Sequence, residues 1–412
     1  MEVIHRIIAG LDVHLAVVVA CLRAQRGRKV TREERRFGTT VPELLKLLDW
    51  LVEAGCPRVI IESSGVYWKS VFNILESSLE VCLVNAYHAK AVAGYKTDRL
   101  DAARLADLGA HGLLRSSFIP PAPIRELREI TRYRKSLVQA KTSEINRVEK
   151  VLEAANIKLS TVVSDIMGVS GRAMIRALIK GERDAAKLAA LAKGSLRGKI
   201  DELIPALTGR FAAGHGFLLG QILDHIEYLE GQIEAISEEV ARLCEPFHEA
   251  VDLLMTMPGV GRTTAEMIVA EIGVDMSRFP SPHHLASWAG VCPGNHETAG
   301  KRRSGRTRKG NRWLRGALAE AAWGATHAKG SEYQVLFRRL AFTRGKGQKK
   351  ARVAVSHAML IAAWHILKHM TPYRALAPVQ RTGSDPTRIT QTLVKRLEKL
   401  GFIVTLEQKT AA

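Results

Sequence analysis

Cysteine is scarce in this chain, with five among 412 residues. Cys21, Cys56, Cys82, Cys244 and Cys292 each stand alone among apolar neighbours. Without a CxxC pair or a Cys/His cluster at zinc spacing, neither a disulfide framework nor a structural zinc site is indicated. The cysteines read as core residues in a reducing compartment. Long apolar runs are missing as well. The best candidate, IIAGLDVHLAVVVACL from Ile7, is interrupted by Asp12 and His14 and has no small-residue cleavage site. It is neither a membrane span nor a signal peptide but a buried strand, and the chain is expected in the cytoplasm with no membrane partner. Acid is the charge in short supply: 41 Asp and Glu face 61 Lys and Arg, a net charge of +20. An excess of that size points to a polyanionic partner, and with no membrane anchor the leading one is nucleic acid.

What is present suits a multidomain globular protein. Hydrophobic residues make up 46% of the chain, which argues against wholesale disorder. The length accommodates two or three cores. The pattern predicts an apolar strand over Ile7–Leu22, a hairpin strand near Lys29–Phe37 and a helix over Val41–Ala54 with Leu44, Leu45, Leu48 and Leu51 on one stripe. Strand Arg58–Glu62, helix Tyr67–Glu76, strand Val81–Asn85 and helix Lys96–Gly109, capped by Thr97, follow. Such a hairpin followed by α/β alternation suits an α/β RNase H-like sheet with helices on its faces. From Ile124 the strand signal disappears. A basic helix over 125–155 leads to several short helices over 160–210. Leu219, Ile222, Ile226, Leu229, Ile233, Ile236, Val240 and Leu243 then form a heptad seam. That seam suits packing within its own domain or self-association through a coiled coil. The expected divisions are 1–123, a helical region 124–249, a mainly α C-terminal domain 250–375 and a tail 376–412 with a helix over Pro386–Leu400 and a strand over Phe402–Leu406.

Four carboxylates occupy positions suited to metal ligation. Asp12 lies inside an apolar strand, where an unpaired carboxylate is costly. Glu62 ends the RVIIE strand, and Asp98 and Asp101 are three residues apart at a helix start, on one face. Hard oxygen ligands of this kind suit Mg²⁺ or Mn²⁺. A pair of such ions serves phosphoryl transfer. Taken singly, each acid also has an ordinary structural role: a strand end, an early-helix charge, or a partner for Arg104.

Further along, LLMTMPGVGRTTAEMIVAEIG (Leu253–Gly273) has the form helix, tight turn, helix, with Pro258, Gly259 and Gly261 in the turn and Thr263 placed to start the second helix. A helix-hairpin-helix of this kind binds a DNA phosphate without reading sequence; the alternative is a purely structural hairpin. Between Lys301 and Arg315 come Lys301, Arg302, Arg303, Arg306, Arg308, Lys309, Arg312 and Arg315 with no acid, a density suited to backbone phosphates. Gly300, Gly305 and Gly310 would let this loop follow a nucleic-acid strand. Trp313 suits either base stacking or the core.

These strings together resemble the insertion-sequence-110 transposases, the Piv/MooV or DEDD family. The likeness rests on GLDVH around Asp12, IESSGVYW after Glu62, KTDRLDAARLADL holding Asp98 and Asp101, PGVG, and AGVCPGNHETAGKRRSGRTRKGNRWLR. It implies a RuvC-like DEDD nuclease domain with Asp12, Glu62, Asp98 and Asp101 as metal ligands, and a C-terminal domain supplying a serine nucleophile. It further implies movement of an insertion sequence by cutting and rejoining DNA, oligomeric assembly, and selection of target and donor by a structured element-encoded RNA. One departure matters: the position of the serine reads Glu297-Thr298-Ala299-Gly300. Threonine keeps the hydroxyl, but its methyl crowds in-line attack. Thr298 is the positional match, and Ser304 is the nearby alternative. Beside this reading stand a metal-only, Holliday-junction-resolvase-like nuclease, a DNA invertase, and a non-catalytic nucleic-acid-binding protein.

Overall fold

The computed structural model describes residues 3–63, 65–85, 101–294, 296–298, 301–345, 347–375, 390–391, 394 and 397–406, with the backbone alone at 296–298 and 301–304. They form two compact units, Met1–Pro120 and Pro121–Ala412.

In the first unit the apolar segment from Ile7 is two strands, not one: β1 (Ile7–Val13) and β2 (Val17–Arg26). A single strand of that length would run to roughly 50 Å, so the chain reverses where polarity allows. His14 and Leu15 are exposed in the turn, and the His14 amide donates to the Val17 carbonyl at 2.9 Å. β3 (Lys29–Gly38) completes an antiparallel meander as an exposed, charged edge strand. Charge on an edge discourages pairing with other chains. β4 (Arg58–Glu62) and β5 (Glu80–Val84) run parallel to β1, giving a mixed five-stranded sheet of order β3-β2-β1-β4-β5.

Strand alternation divides this sheet into two faces. Ala9, Leu11, Val13, Val59, Ile61 and Leu83 pack under helices α1 (Val41–Glu53) and α2 (Trp68–Leu75). The buried stripe of α1 is Leu44, Leu47, Trp50 and Leu51, whereas Leu45 is exposed. The helix is rotated from the expected stripe because Trp50 enters the core beside Phe37, ring centroids 5.6 Å apart. On the opposite face Ile8, Ile60 and Val84 meet Leu105, Ala106 and Ala110 of α3 (Asp101–Ala110). Thr97 and Asp98 lie outside the described residues. Gly10 permits this contact. A Cβ there would stand 2.1 Å from the Ala102 carbonyl oxygen and 2.6 Å from the Ala106 nitrogen. Asp107, accepting from Arg23 and Arg32 at 2.9 Å each, fastens the far end of α3 to β2 and β3.

The second unit is helical apart from one short hairpin. Its frame is α4 (Ala122–Ala154) against α8 (Ala213–Cys244), each roughly 50 Å long. They run antiparallel: Lys141 pairs with Glu230 at 2.9 Å, and Glu144 with His225 at 3.4 Å. The heptad seam is thus covered from within the chain. Leu219, Ile222 and Ile226 join Val148 and Leu152 in one core, with α5 (Val169–Ile179), α6 (Ala185–Ala189) and α7 (Ile200–Leu207) closing over it. Beyond α8 come α9 (His248–Met255), α10 (Arg262–Ile272), α11 (Pro282–Ala289), α12 (Arg312–His327), α13 (Glu332–Arg338) and α14 (Gln348–His369). The strand expected over Phe402–Leu406 does not form; Ile403 is fully exposed and the segment pairs with no other strand among the described residues. A short apolar run with nothing to pair with lacks the ladder that makes it a strand.

Two buried carboxylates on α10 join these helices. Glu271, with no exposed surface, accepts from Arg132 at 2.6 and 2.8 Å and lies 3.5 Å from the Arg128 guanidinium. It also accepts from the Asn311 amide at 2.5 Å, while Asn311 caps α12. Glu266 is paired with Arg134 at 2.8 Å and Arg262 at 3.1 Å. Removing one member of a buried pair strands its partner's charge, typically at a cost of about 3–5 kcal/mol. Glu271→Ala is therefore expected to lose about that much unfolding free energy in urea at neutral pH, and Glu271→Gln less. A loss in the alanine variant below about 1 kcal/mol would mean the cluster contributes nothing net. In the first unit, Gly10→Ala should lower stability by at least about 1–3 kcal/mol, the usual cost of overpacking, because backbone atoms of α3 cannot swing aside; an unchanged thermal midpoint would contradict the close crossing.

Candidate functional site

Two of the four expected acids come together through strand register. β1 and β4 are parallel, with Gly10 opposite Ile60 and Leu11 opposite Ile61. One step further lie Asp12 and Glu62, neighbours at the C-terminal ends of adjacent strands. Both share the α3 face with Gly10 and Ile60. Both are half-buried, and Asp12 retains 23% side-chain exposure. Asp12 is not a bare buried carboxylate, because His14 Nε2 lies 3.0 Å from its Oδ2. Asp101 is the first described residue of α3, immediately before the Ala102 that rests on Gly10. The close crossing therefore brings the start of α3 to the strand ends that carry Asp12 and Glu62. Asp98 lies outside the described residues. Among the described residues, no group of three or more His, Cys, Asp or Glu stands close enough to hold a metal ion. The donor chemistry, all carboxylate oxygen, fits a hard divalent cation in kind.

In the second unit the PGVG turn connects α9 to α10. Gly259 adopts φ +82°, and a Cβ there would lie 2.4 Å from both the Ala321 carbonyl oxygen and the Ala325 nitrogen of α12. Its missing side chain thus serves the packing of the turn on α12. Gly261 borders open space and is the N-cap of α10, which begins one residue earlier than a start at Thr263. The exposed edge of the turn is therefore Gly261, Arg262 and Thr263.

The basic segment is a hairpin where a loop was expected. β6 (His296–Thr298) pairs antiparallel with β7 (Lys301–Ser304), with Thr298 opposite Lys301, Glu297 opposite Arg302 and His296 opposite Ser304. Thr298 ends its strand at the turn, and Ser304 ends the other, at the opposite end of the ladder. Arg303 lies within β7, and Gly300 outside the described residues. A further bridge joins Pro293 to Thr307, and the Gly294 amide donates to the Arg306 carbonyl at 3.0 Å. Gly310 permits a main-chain crossing. A Cβ there would stand 2.4 Å from the Ala289 carbonyl oxygen, where the segment crosses the end of α11. Arg306, Arg308, Lys309 and Arg312 are exposed and Arg315 is half-buried. Trp313 is half-buried between guanidinia, with Arg312 4.6 Å and Arg132 5.9 Å from its ring centroid.

Sequence reading did not single out Arg128, Arg132 or Glu271, which link α4 to the end of this basic segment through Asn311. Their signal was a glutamate inside an apolar helix, EMIVAEI, matched by arginines four apart on a helix more than a hundred residues away. Burial lowers Arg128 to about 10, with Glu271 opposing the shift. Cys56 and Cys244 are pushed up to about 11 by burial, as core thiols should be. No helix among the described residues is long and apolar enough to cross a membrane.

Two regions of the chain match models of known families. Residues 9–157 match the IS110-type DEDD family model, described as a transposase, and residues 251–336 match the model described as "Transposase IS116/IS110/IS902 family". The chain is 27% identical over 155 residues to the pilin gene-inverting protein of Moraxella bovis, 36% of this chain and 48% of the relative. It is 28% identical over 183 residues to the insertion element IS110 43.6 kDa protein of Streptomyces coelicolor, 44% of this chain and 40% of the relative. The transposase for insertion sequence element IS1328 of Yersinia enterocolitica is 30% identical over 106 residues, 26% of this chain and 31% of the relative. The chain thus spans less than half the length of each of these relatives. With both family regions present in order, one around Asp12, Glu62 and Asp101 and the other around the PGVG turn and the Thr298 hairpin, the chain belongs to the IS116/IS110/IS902 family of transposases.

Proposed function

We propose that the chain is a DNA transposase or site-specific recombinase that cuts and rejoins phosphodiester bonds to mobilise an insertion sequence. The observation that carries this reading is the placement of Asp12 and Glu62 one residue beyond the Leu11–Ile61 register on neighbouring parallel strands, with Asp101 on the helix that covers that face. A sheet of order β3-β2-β1-β4-β5 with helices on both faces supports an RNase H-like, RuvC-like nuclease domain, residues 1–123 in this division. Residues 124–249 then serve as helical spacer and assembly region, 250–375 as the C-terminal transposase domain with its helix-hairpin-helix, and 376–412 as a tail.

In this mechanism Asp12, Glu62, Asp98 and Asp101 hold a divalent cation, Mg²⁺ or Mn²⁺. When bound, the cation would stabilise charge developing on the phosphoryl oxygens. His14, hydrogen-bonded to Asp12, orients that carboxylate. The Thr298 hydroxyl is the nucleophile: its oxygen bonds to phosphorus, its proton is given up, and the departing nucleoside oxygen takes a proton. This leaves a protein–DNA ester that the incoming strand end resolves. Gly261 and the start of α10 hold a DNA phosphate, as do Lys301, Arg302, Arg303, Arg306, Arg308, Lys309, Arg312 and Arg315 around the hairpin. Gly259 contributes by holding the turn against α12. By family likeness, the working assembly is a homo-oligomer that carries a structured RNA of the element to select its DNA.

The test uses the full chain co-expressed with its complete element, mixed with junction and target DNA in Mg²⁺. A nucleotide remnant on Thr298 by mass spectrometry is expected, lost in Thr298→Ala and retained in Thr298→Ser. Asp12→Ala and chelation by EDTA should each reduce cleavage by more than about 100-fold, since even outer-shell partners of a metal site are worth 10–100-fold. Cleaved DNA with no adduct would favour the metal-only nuclease, and a remnant on Ser304 would move the nucleophile there.

A further inference from the structure

A second cationic surface lies outside the hairpin, on the segment Phe337–Arg352. No acid occurs between Glu332 and Asp385. Arg338, Arg339, Arg344, Lys349 and Lys350 are all exposed, and among the described residues no carboxylate pairs with any of them. The contrast with α4 is sharp. There Arg128, Arg132, Arg134, Lys135 and Lys141 each have a carboxylate within hydrogen-bonding or ion-pair reach. Lys349 and Lys350 stand in the first turn of α14, where the helix dipole disfavours cations and no acid offsets them. The five free cations are held on a rigid base, because Phe337, Leu340, Ala341 and Ala351 between them are buried.

At the centre of this surface Phe342 is 64% exposed. It lies in a π-helical turn, Arg339–Thr343, a geometry concentrated at functional sites. Phe337 meets its ring edge-on, centroids 6.1 Å apart at 89°, while most of the Phe342 ring stays open to solvent. Gly345 (φ +58°) and Gly347 (φ +79°) follow the turn, and a Cβ on either would meet nothing within 4 Å. The chain here is open to a close-lying ligand. A solvated basic face accounts for the cations alone, but it does not account for an exposed phenyl ring set among them. A flat apolar face ringed by unpaired guanidinium and ammonium groups matches one chemistry: an unpaired base with its flanking phosphates.

We propose that the Phe342 surface binds single-stranded DNA, with one base stacked on Phe342 and the neighbouring phosphates on Arg338, Arg339, Arg344, Lys349 and Lys350. Duplex DNA keeps its base faces covered and meets only the cations. The proposal rests on DNA being the substrate, and it assigns this surface to a strand unpaired during cutting and rejoining.

Fluorescence anisotropy of the full chain with a labelled single-stranded DNA oligonucleotide, its duplex, and the single-stranded RNA of the same sequence tests this. Phe342→Ala should weaken single-stranded DNA binding by about tenfold or more and leave duplex binding within about twofold. Phe342→Tyr should restore the loss. Joint Arg338→Ala, Arg339→Ala and Arg344→Ala should flatten the salt dependence, by about 0.7 in logarithmic slope for each phosphate no longer neutralised. Because these side chains are exposed, the thermal midpoint should not move, which separates a binding defect from misfolding. Unchanged single-strand affinity in Phe342→Ala, an equal loss on duplex, or a loss confined to RNA would each overturn the proposal. Asp12→Ala should keep single-strand binding while losing cleavage, so failure of the catalytic reading and failure of this one give different results.

Discussion

A carboxylate with no exposed surface fixes the helical half of this protein. Glu271 sits in the middle of an otherwise apolar helix and would be prohibitively costly there alone. It is tolerated because Arg132 approaches it with two nitrogens, Arg128 stands behind, and Asn311 donates from a third helix. Charge-assisted bonds of this kind are directional, so they specify how α4, α10 and α12 are turned against one another and not merely that they touch. Asn311 lies in the cluster and also begins α12, so the end of the basic segment is set by the same bonds that set the long helix.

The first unit reaches comparable definition through an absence. With no side chain on Gly10, the backbone of α3 lies almost directly on β1, and Asp107 holds the helix to β2 and β3 through Arg23 and Arg32. Strand register aligns Asp12 with Glu62, while the crossing over Gly10 sets where α3 begins relative to them. Asp12 has a partner beside it, since His14 Nε2 lies 3.0 Å from its Oδ2. The acids are therefore placed by the least compliant part of the fold, main chain on main chain.

Local chemistry was legible in the sequence, and long-range pairing was not. Asp12 and Glu62 interrupt apolar strands, so their strand positions could be read directly; their adjacency needed only the parallel register. The reversal at His14 was hidden because apolar residues resume at once after it, and composition alone does not reveal a turn of three residues. The heptad seam was visible as a period, but its partner was not, because α4 presents a largely charged sequence whose apolar residues, such as Val148 and Leu152, are widely spaced. Gly259 read as a turn residue and Gly310 as room for a ligand, and the sequence carried no sign that both lie at main-chain crossings, with α12 and α11. Phe342 attracted no notice, since an isolated phenylalanine in a sequence carries no sign of exposure.

The net charge of +20 is a poor guide to where nucleic acid would bind, because much of the positive charge is already engaged internally. On α4 the basic residues are bound to Glu266, Glu271, Glu320 and Glu230, and on α5 Arg172 and Arg176 are bound to Glu230 and Glu227. A cation held by a carboxylate offers a phosphate little, since binding one would require breaking a bond already made. Acids are absent from the sequence around two basic stretches, near the hairpin over 305–315 and on the surface around Phe342. Phosphate binding depends on cations not already held by carboxylates and not on total charge. The distribution of acid, the scarcer of the two signs in this chain, therefore determines which basic surfaces remain available to DNA.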